Sequence, residues 1–217
     1  VVSDIGRSRD KATEDIHIGS SDAMEAVAAG LRDYGVNVTT CVADVRVQAD
    51  MKALAVHAIN EHSSLDIWVN NAGIGYIMSP ILDVTEDDWR AVIDVNLTGC
   101  FWGLQVAAKT MMEQKTGGRI INIASQAAKS GFPFAQAYCA SKHGLVGLAR
   151  SASIELGPEK ITVNNVCPNH VTTELGDWQN KFTSKALGLT EEEYLQKMSD
   201  KIPLRRVGMP EDTANAV

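Results

Sequence analysis

Short runs of β-branched and apolar residues alternate along this chain with longer segments in which apolar side chains recur every three or four positions. The longer period belongs to helices with one buried face, and the unbroken runs to strands buried on both faces. The pattern predicts a strand end at 1–3, a helix over 22–34 closed by Gly35, and a strand over 36–42. A helix follows over 48–61, then a short buried strand over 66–69. Thr85 offers an N-cap oxygen, and Glu86, Asp87 and Asp88 put negative charge in the first turn, where the helix dipole favours it. The helix it opens is expected to run to about 115, with Trp89, Ile93, Leu97, Phe101, Leu104 and Met111 near helical spacing and Gly117 and Gly118 as the stop. A strand over 119–124, a helix over 137–156 ended by Gly157 and Pro158, and a strand over 161–166 continue the alternation.

Strands of this kind separated by helices imply an α/β fold, a doubly wound parallel sheet in three α/β/α layers. The chain opens as if inside a strand and stops partway through a helical pattern begun by Pro210, Glu211 and Asp212. The first strand and the C-terminal strand of such a fold are therefore expected to be lacking from it. Ligands on these sheets bind beyond the carboxyl ends of the strands. Asp4, Asp44, the segment 70–73, Ser125 and the segment 169–173 all fall at strand ends and are expected to face one crevice.

From 174 to 203 the character changes. Thr190 and Glu193 have the spacing of a capping box for a helix over 191–199, with Trp178, Phe182, Leu187, Leu189, Tyr194 and Met198 around it. This reads as a substrate lid with an apolar underside, or as an ordinary surface helical hairpin. Residues 1–217 are otherwise expected to form one catalytic domain. A hydrophobic share of 45% in 217 residues is enough for one buried core.

Charge and cysteines narrow the class. A net charge of −7 without a Lys/Arg cluster argues against nucleic acid and anionic membranes as partners. No charged leader precedes an apolar run, and Cys41, Cys100, Cys139 and Cys167 are widely spaced, so a reduced, cytoplasmic protein is expected. The histidines, His143 and His170 among them, lack metal-ligand spacing, and no metal is expected.

The chemistry concentrates on one helical turn. Tyr138 and Lys142, four residues apart, share a helix face, and Ser125 ends the preceding apolar run. A phenol with its usual pKa of about 10 becomes a physiological proton donor if a nearby ammonium lowers that value, and Ser125 could hydrogen-bond the same substrate oxygen. Alone, a Tyr-x-x-x-Lys spacing more often means a core Tyr with a solvated Lys.

Around that pair the chain resembles the short-chain dehydrogenase/reductases, of the type called classical. Several motifs fall in order over essentially its whole length: Asp44-Val45, Asn70-Asn71-Ala72-Gly73, Asp94-Val95-Asn96, Ile123-Ala124-Ser125, Tyr138 with Lys142, and Pro168-Asn169-His170-Val171-Thr172-Thr173. The resemblance implies a Rossmann-like fold and a catalytic set of Asn96, Ser125, Tyr138 and Lys142. It implies cofactor contacts from Asp4, Asp44, Val45, Asn71, Ala72, Gly73, Tyr138, Lys142, Val171 and Thr173. Asp44 would hold the adenine ring, Val171 the nicotinamide carboxamide through its backbone, and Thr173 a phosphate oxygen. The family's Gly-rich phosphate turn has no equivalent around Gly6 or Gly19, and Asn169 stands where Gly is usual.

That turn would sit upstream of Asp4; an acid ending the second strand accepts hydrogen bonds from ribose hydroxyls and repels a 2′-phosphate, so Asp4 favours NAD(H), while Arg7 leaves NADP(H) open. The expected reaction interconverts a secondary alcohol and a ketone. Gln126, Lys129, Phe132, Phe134, Gln136 and His170 suit a small polyol, sugar or hydroxy ketone. The alternatives are a 3-oxoacyl-carrier-protein reductase and a non-catalytic dinucleotide-binding redox sensor. The family's habit of pairing its long helices implies a homodimer or homotetramer.

Overall fold

The computed structural model describes residues 1–6, 20–75 and 77–217. Its strands are β1 (Val2–Asp4), β2 (Thr40–Val42), β3 (Ile67–Asn70), β4 (Gly118–Ile123) and β5 (Ile161–Val166). The helices are α1 (Ser21–Arg32), α2 (Gln48–His62), α3 (Glu86–Ile93), α4 (Gly99–Gln114), α5 (Gln136–Leu156), α6 (Glu174–Ala186), α7 (Glu191–Lys201) and α8 (Pro210–Ala214). Among the described residues the strands make two parallel sheets, β1 beside β2 and the series β3-β4-β5. Parallel pairing places Asp4 opposite Val42 in one and Asn70 opposite Asn122 in the other. The chain divides into two compact units, Val1–Asn165 and Val166–Val217.

In the first unit, Met51, Leu54, Ala55 and Ala58 of α2 and Leu104, Ala107, Ala108 and Met111 of α4 share one apolar core with Trp68 of β3, Ile120 of β4 and Ala149 and Ala152 of α5. A second cluster of Ile74, Ala91, Val92, Ala127, Ala137 and Tyr138 lies under the candidate site. The segment Glu86–Gln114 has the length and hydropathy of a membrane span, yet 56% of its most apolar window is buried inside this unit. It is a core element.

That segment departs from the expected single helix. A π-helical turn over Asp94–Thr98 interrupts it between α3 and α4. Such a turn admits one extra residue without breaking the helix, so spacing alone barely registers it. Thr85 caps α3 as expected, accepting from the Asp88 N–H, and Asp88 returns the bond in a capping box. The strand expected over 36–42 is observed as β2, Thr40–Val42, whose ladder with β1 pairs Val2 with Thr40.

A row of buried asparagines crosses the three-stranded sheet. Trp68 Nε1 donates to Asn70 Oδ1 (2.7 Å), Asn70 Nδ2 to Asn122 Oδ1 (2.8 Å), and Asn122 Nδ2 to Asn165 Oδ1 (3.0 Å). Asn165 Nδ2 then reaches the Leu145 carbonyl on α5 (3.3 Å), so each amide is satisfied where burial would otherwise cost free energy. Gly103 on α4 makes room for the row: a Cβ there would stand 2.2 Å from Asn70 Oδ1 and 2.8 Å from Trp68 Nε1.

In the second unit, Val171 bridges Gly208 in parallel fashion, with Gly208 N–H donating to the His170 carbonyl (2.7 Å) and Thr172 N–H to the Gly208 carbonyl (2.9 Å). The predicted capping box of Thr190 and Glu193 opens α7, which reaches Lys201, slightly beyond the expected end. His170 Nε2 lies 2.7 Å from Asn180 Oδ1 on α6, and its ring meets Tyr194 of α7 edge-on at 6.2 Å.

Candidate active site

The chain places Tyr138, Ser141 and Lys142 on the buried face of α5, and Ser125 just past the end of β4. The Tyr138 and Ser125 hydroxyls share a hydrogen bond. Lys142 Nζ lies 5.5 Å from the centre of the Tyr138 ring and donates to the Ile123 carbonyl at 2.9 Å. The spacing of the pair and the strand-end serine are thus brought together as expected. Ser125 Oγ also accepts from the Ala127 N–H (3.1 Å), which fixes its rotamer at the start of a 3₁₀ turn over Gln126–Ala128.

The expected acidification of the phenol is overturned. Burial is the largest influence on Tyr138 and holds its pKa above the usual value, with the Ser125 hydrogen bond pulling the other way. Removing the phenolate from water costs more than these neighbours return, so the hydroxyl is a protonated donor at neutral pH. Burial likewise pushes the Cys100 thiol up to about 11, against the opposing charge of Lys142. That cysteine is an inert core group.

Asn96 sits at the middle of the π turn, fully buried. Its Oδ1 accepts from the Ile74 N–H (2.8 Å) and its Nδ2 donates to the Ile74 carbonyl (3.0 Å), with Ser141 Oγ 3.4 Å away. Ser141 Oγ in turn donates to the Tyr138 carbonyl (2.7 Å). Asn96 therefore clasps the chain after Gly73 and joins it to the turn of α5 that carries Tyr138. Asn70, expected to face the crevice with 71–73, instead turns its amide into the sheet toward Trp68 and Asn122; that link, Asn122, Asn165, Ile74 and Ser141 were not foreseen from the sequence. Asparagines inside otherwise apolar strand runs were the available signal, because a buried amide must find partners.

The cofactor candidates fall on both units. Asp4 ends β1, and its Oδ1 accepts from the Gly6 N–H (2.9 Å), so it caps a turn at the strand's carboxyl end. Asp44 is buried and holds Arg46, whose Nε and terminal nitrogen reach its two oxygens at 2.8–3.2 Å. Val45 packs against the main core. After β3, Asn71 and Ala72 are exposed; a Cβ on Gly73 would meet Asn96 Oδ1 at 3.3 Å and Lys142 Nζ at 3.7 Å. A side chain at 73 would thus press on the Asn96 amide oxygen and touch the Lys142 amine. In the second unit Thr173 caps α6, accepting from Gly176 N–H (3.1 Å). The bridge to Gly208 uses the His170 carbonyl and the Thr172 N–H, so the Val171 N–H and carbonyl point the opposite way. Arg7 and the side chain of Trp178 lie outside the described residues. By donor chemistry the first unit's residues fit a nicotinamide dinucleotide: a strand-end carboxylate at Asp4, an exposed backbone over 71–73 and the buried Lys142 amine.

One backbone feature stands out between Ser125 and Tyr138. Phe134 adopts φ +66°, a left-handed conformation that costs a bulky residue on the order of 1–3 kcal/mol. Its carbonyl accepts from the Ser79 N–H at 3.1 Å, and Ala135 after it is buried as the first residue bounding α5.

The family model for short chain dehydrogenases matches residues 12–183. L-2,3-butanediol dehydrogenase of Corynebacterium glutamicum is 34% identical over 216 residues, covering 100% of this chain and 79% of that protein. A 3-oxoacyl-[acyl-carrier-protein] reductase of Staphylococcus aureus is 34% identical over 201 residues, 93% of this chain and 76% of that protein. Among solved structures, carveol dehydrogenase from Mycobacterium avium in complex with NAD is similar over 99% of this chain and 78% of its own, with 25% identity and a TM-score of 0.89. NAD+-bound xylitol dehydrogenase aligns with 89% of this chain and 77% of its own at 28% identity and a TM-score of 0.82. The chain belongs to the short-chain dehydrogenase/reductase family of oxidoreductases, with that family's Rossmann-type fold.

Proposed function

We propose that this chain interconverts a secondary alcohol and a ketone with NAD(H), through Ser125, Tyr138, Lys142 and Asn96. The observation that carries the reading is the buried Tyr138 hydroxyl bonded to Ser125, with the Lys142 ammonium against the same ring. In the reducing direction Tyr138 gives its proton to the carbonyl oxygen while Ser125 donates a hydrogen bond to that oxygen, and the carbonyl carbon gains a hydride. In the oxidising direction the same oxygen takes the proton back. A bound nicotinamide supplies or accepts the hydride. Asp4, Asp44, Val45, Asn71, Ala72, Gly73, Tyr138, Lys142, Val171 and Thr173 hold it. Lys142 Nζ lies against the Tyr138 ring and donates to the Ile123 carbonyl, which ties the phenol's turn of α5 to the end of β4. Asn96 fixes the backbone of the 71–74 segment against that ammonium.

Asp4 supports NAD(H) over NADP(H), because a carboxylate at that strand end opposes a 2′-phosphate. The butanediol and xylitol dehydrogenases among its relatives and neighbours support an alcohol or hydroxy ketone as substrate, a small polyol or sugar included. A second reading, reduction of a 3-oxoacyl carrier protein, draws on the staphylococcal relative. The net charge of −7 opposes docking of an acidic carrier. A redox sensor without turnover is the third. We place the protein in the cytoplasm as a homodimer or homotetramer, in keeping with four free cysteines and the family's habit. The test is a panel of polyols, hydroxy ketones and β-keto esters with NAD(H) and NADP(H), run beside Tyr138→Phe. NAD-linked turnover that falls by about 10²–10⁴ in the variant is expected. Undiminished turnover in Tyr138→Phe defeats the mechanism, and tight NADH binding without any turnover supports the sensor instead.

A further inference from the structure

Two histidines of α2 meet a hydroxyl that the oxidoreductase chemistry leaves unused. His57 Nε2 lies 3.1 Å and His62 Nε2 3.0 Å from Thr39 Oγ1, and all three residues are half-buried. Strand alternation and a helix end build this place. Thr39 and Cys41, two apart, share a face. Cys41 packs against the core that Met51, Leu54 and Ala55 of α2 help to form, so Thr39 also turns its side chain toward that helix. His62 is the last residue of α2, and Ser63 bends the chain away at φ +67°. The Thr39 carbonyl accepts from the Val2 N–H (2.9 Å), which joins the same residue to β1.

A hydroxyl has one proton and two lone pairs, and a neutral imidazole has one N–H and one free nitrogen. With both rings neutral, one Nε2 accepts from Thr39 and the other donates to it, or both donate. Each nitrogen is near 3 Å from one oxygen, so the two lie within about 6 Å of each other and aim at one point. His57 and His62 stand five apart, and 18 and 23 residues separate them from Thr39, so no sequence motif announces the cluster. Among the described residues no three of His, Cys, Asp and Glu gather; here a hydroxyl makes the third donor.

We propose that His57, His62 and Thr39 hold one divalent transition-metal ion of the imidazole-preferring class, which Zn(II) and Ni(II) represent. With the ring proton on Nδ1 in both histidines, both Nε2 lone pairs face the shared point, the Thr39 oxygen lies beside them, and water completes the shell. Imidazole nitrogens bind zinc at about 2.0–2.1 Å, so each ring closes by about 1 Å, a rotation for which half-buried side chains have room. Hard cations such as Ca(II) and Mg(II) take sets of oxygens and are not held. The ion pins the end of α2 to the residue that anchors β1. It has no part in hydride transfer, and the site shares no residue with the proposed catalytic set or dinucleotide contacts.

The experiment titrates the full chain with Zn(II) and Ni(II) by calorimetry, in wild type, His57→Gln, His62→Gln, the double Gln variant, Thr39→Val and His143→Gln. Glutamine keeps an amide to bond Thr39 but brings no imidazole. One equivalent of either ion is expected to bind wild type and His143→Gln. Kd is expected to rise at least about tenfold in each single Gln variant and little further in the double, since two ligands that act as one chelate are not additive. Thr39→Val weakens binding less. Zn(II) is expected to raise the melting temperature of wild type and to leave that of the double variant unmoved. Proton NMR of wild type alone provides a readout that no variant's folding can disturb: sub-stoichiometric Ni(II) broadens two histidine ring signals together and spares the others. Unchanged affinity in the double variant, equal weakening in His143→Gln, or Ni(II) broadening of one ring or of all rings alike overturns the proposal.

Discussion

The proton on Tyr138 is held by the protein more tightly than by water. Burial raises the phenol's pKa while Ser125 partly restrains it, so the folded state binds that proton more strongly than the unfolded chain, whose value is about 10. The sign of the stability effect follows from that order. The contribution is present in full below about pH 10 and is lost as pH rises through the folded value, where the chain must either bury a phenolate or open. Cys100, raised to about 11, loses stability in the same sense, so wild type alone does not separate the two. Urea midpoints between about pH 9 and pH 11.5 are expected to fall more steeply for wild type than for Tyr138→Phe. Parallel profiles would show that the folded phenol titrates as the unfolded one does. Ser125→Ala tests the other hydroxyl. It removes the group that favours the phenolate, so the alkaline limb of the oxidation rate is expected to move to higher pH, with kcat down by about 10²-fold. An unmoved limb would detach Ser125 from the phenol.

At the scale of elements, the asparagine row joins β3, β4, β5 and α5, and so bears on the frame that aligns Ser125 with Tyr138. Gly103→Ala directs a methyl into it, against Asn70 Oδ1 and Trp68 Nε1. Overpacking of this kind, with a buried amide displaced, is expected to cost about 1–3 kcal/mol, read as a shift in urea midpoint at constant slope. A shift within about 0.5 kcal/mol, the range of an ordinary surface substitution, would mean the row relaxes freely. The alternating strands and helices were legible in the sequence because period and capping are local properties: Thr85 and Thr190 both cap where their spacing to Asp88 and Glu193 places them. Tyr138, Lys142 and Ser125 were legible for the same reason, since a helix turn and a strand end fix them. What stayed hidden depends on contacts distant in the chain. The π turn leaves the helical pattern nearly intact while rotating Asn96 onto Ile74, 22 residues away. The direction of the Tyr138 shift also could not be read from an i,i+4 pair, because it is decided by burial that many segments supply together.

For the whole molecule, a cofactor that binds only the folded chain must stabilise it by mass action. At a hundred times its Kd, NAD(H) contributes about 2.7 kcal/mol, which for a chain of this size raises the melting temperature by roughly 5–10 °C. On the proposed role of Asp4 beside the ribose, the same concentration of NADP(H) is expected to give a smaller rise, because a carboxylate there opposes a 2′-phosphate. Asp4→Asn isolates that charge. Its amide oxygen can still accept the Gly6 N–H, so the turn keeps its cap while the negative charge is gone. A like-charge contact near a protein surface amounts to a few kcal/mol at most before screening. The Kd ratio of NADP(H) to NAD(H) is therefore expected to fall about tenfold in the variant at low salt, and by less at high salt. A ratio that stays put would move the selectivity away from Asp4. An equal loss of both cofactors would instead make the capped turn the contribution of this residue, its charge being incidental.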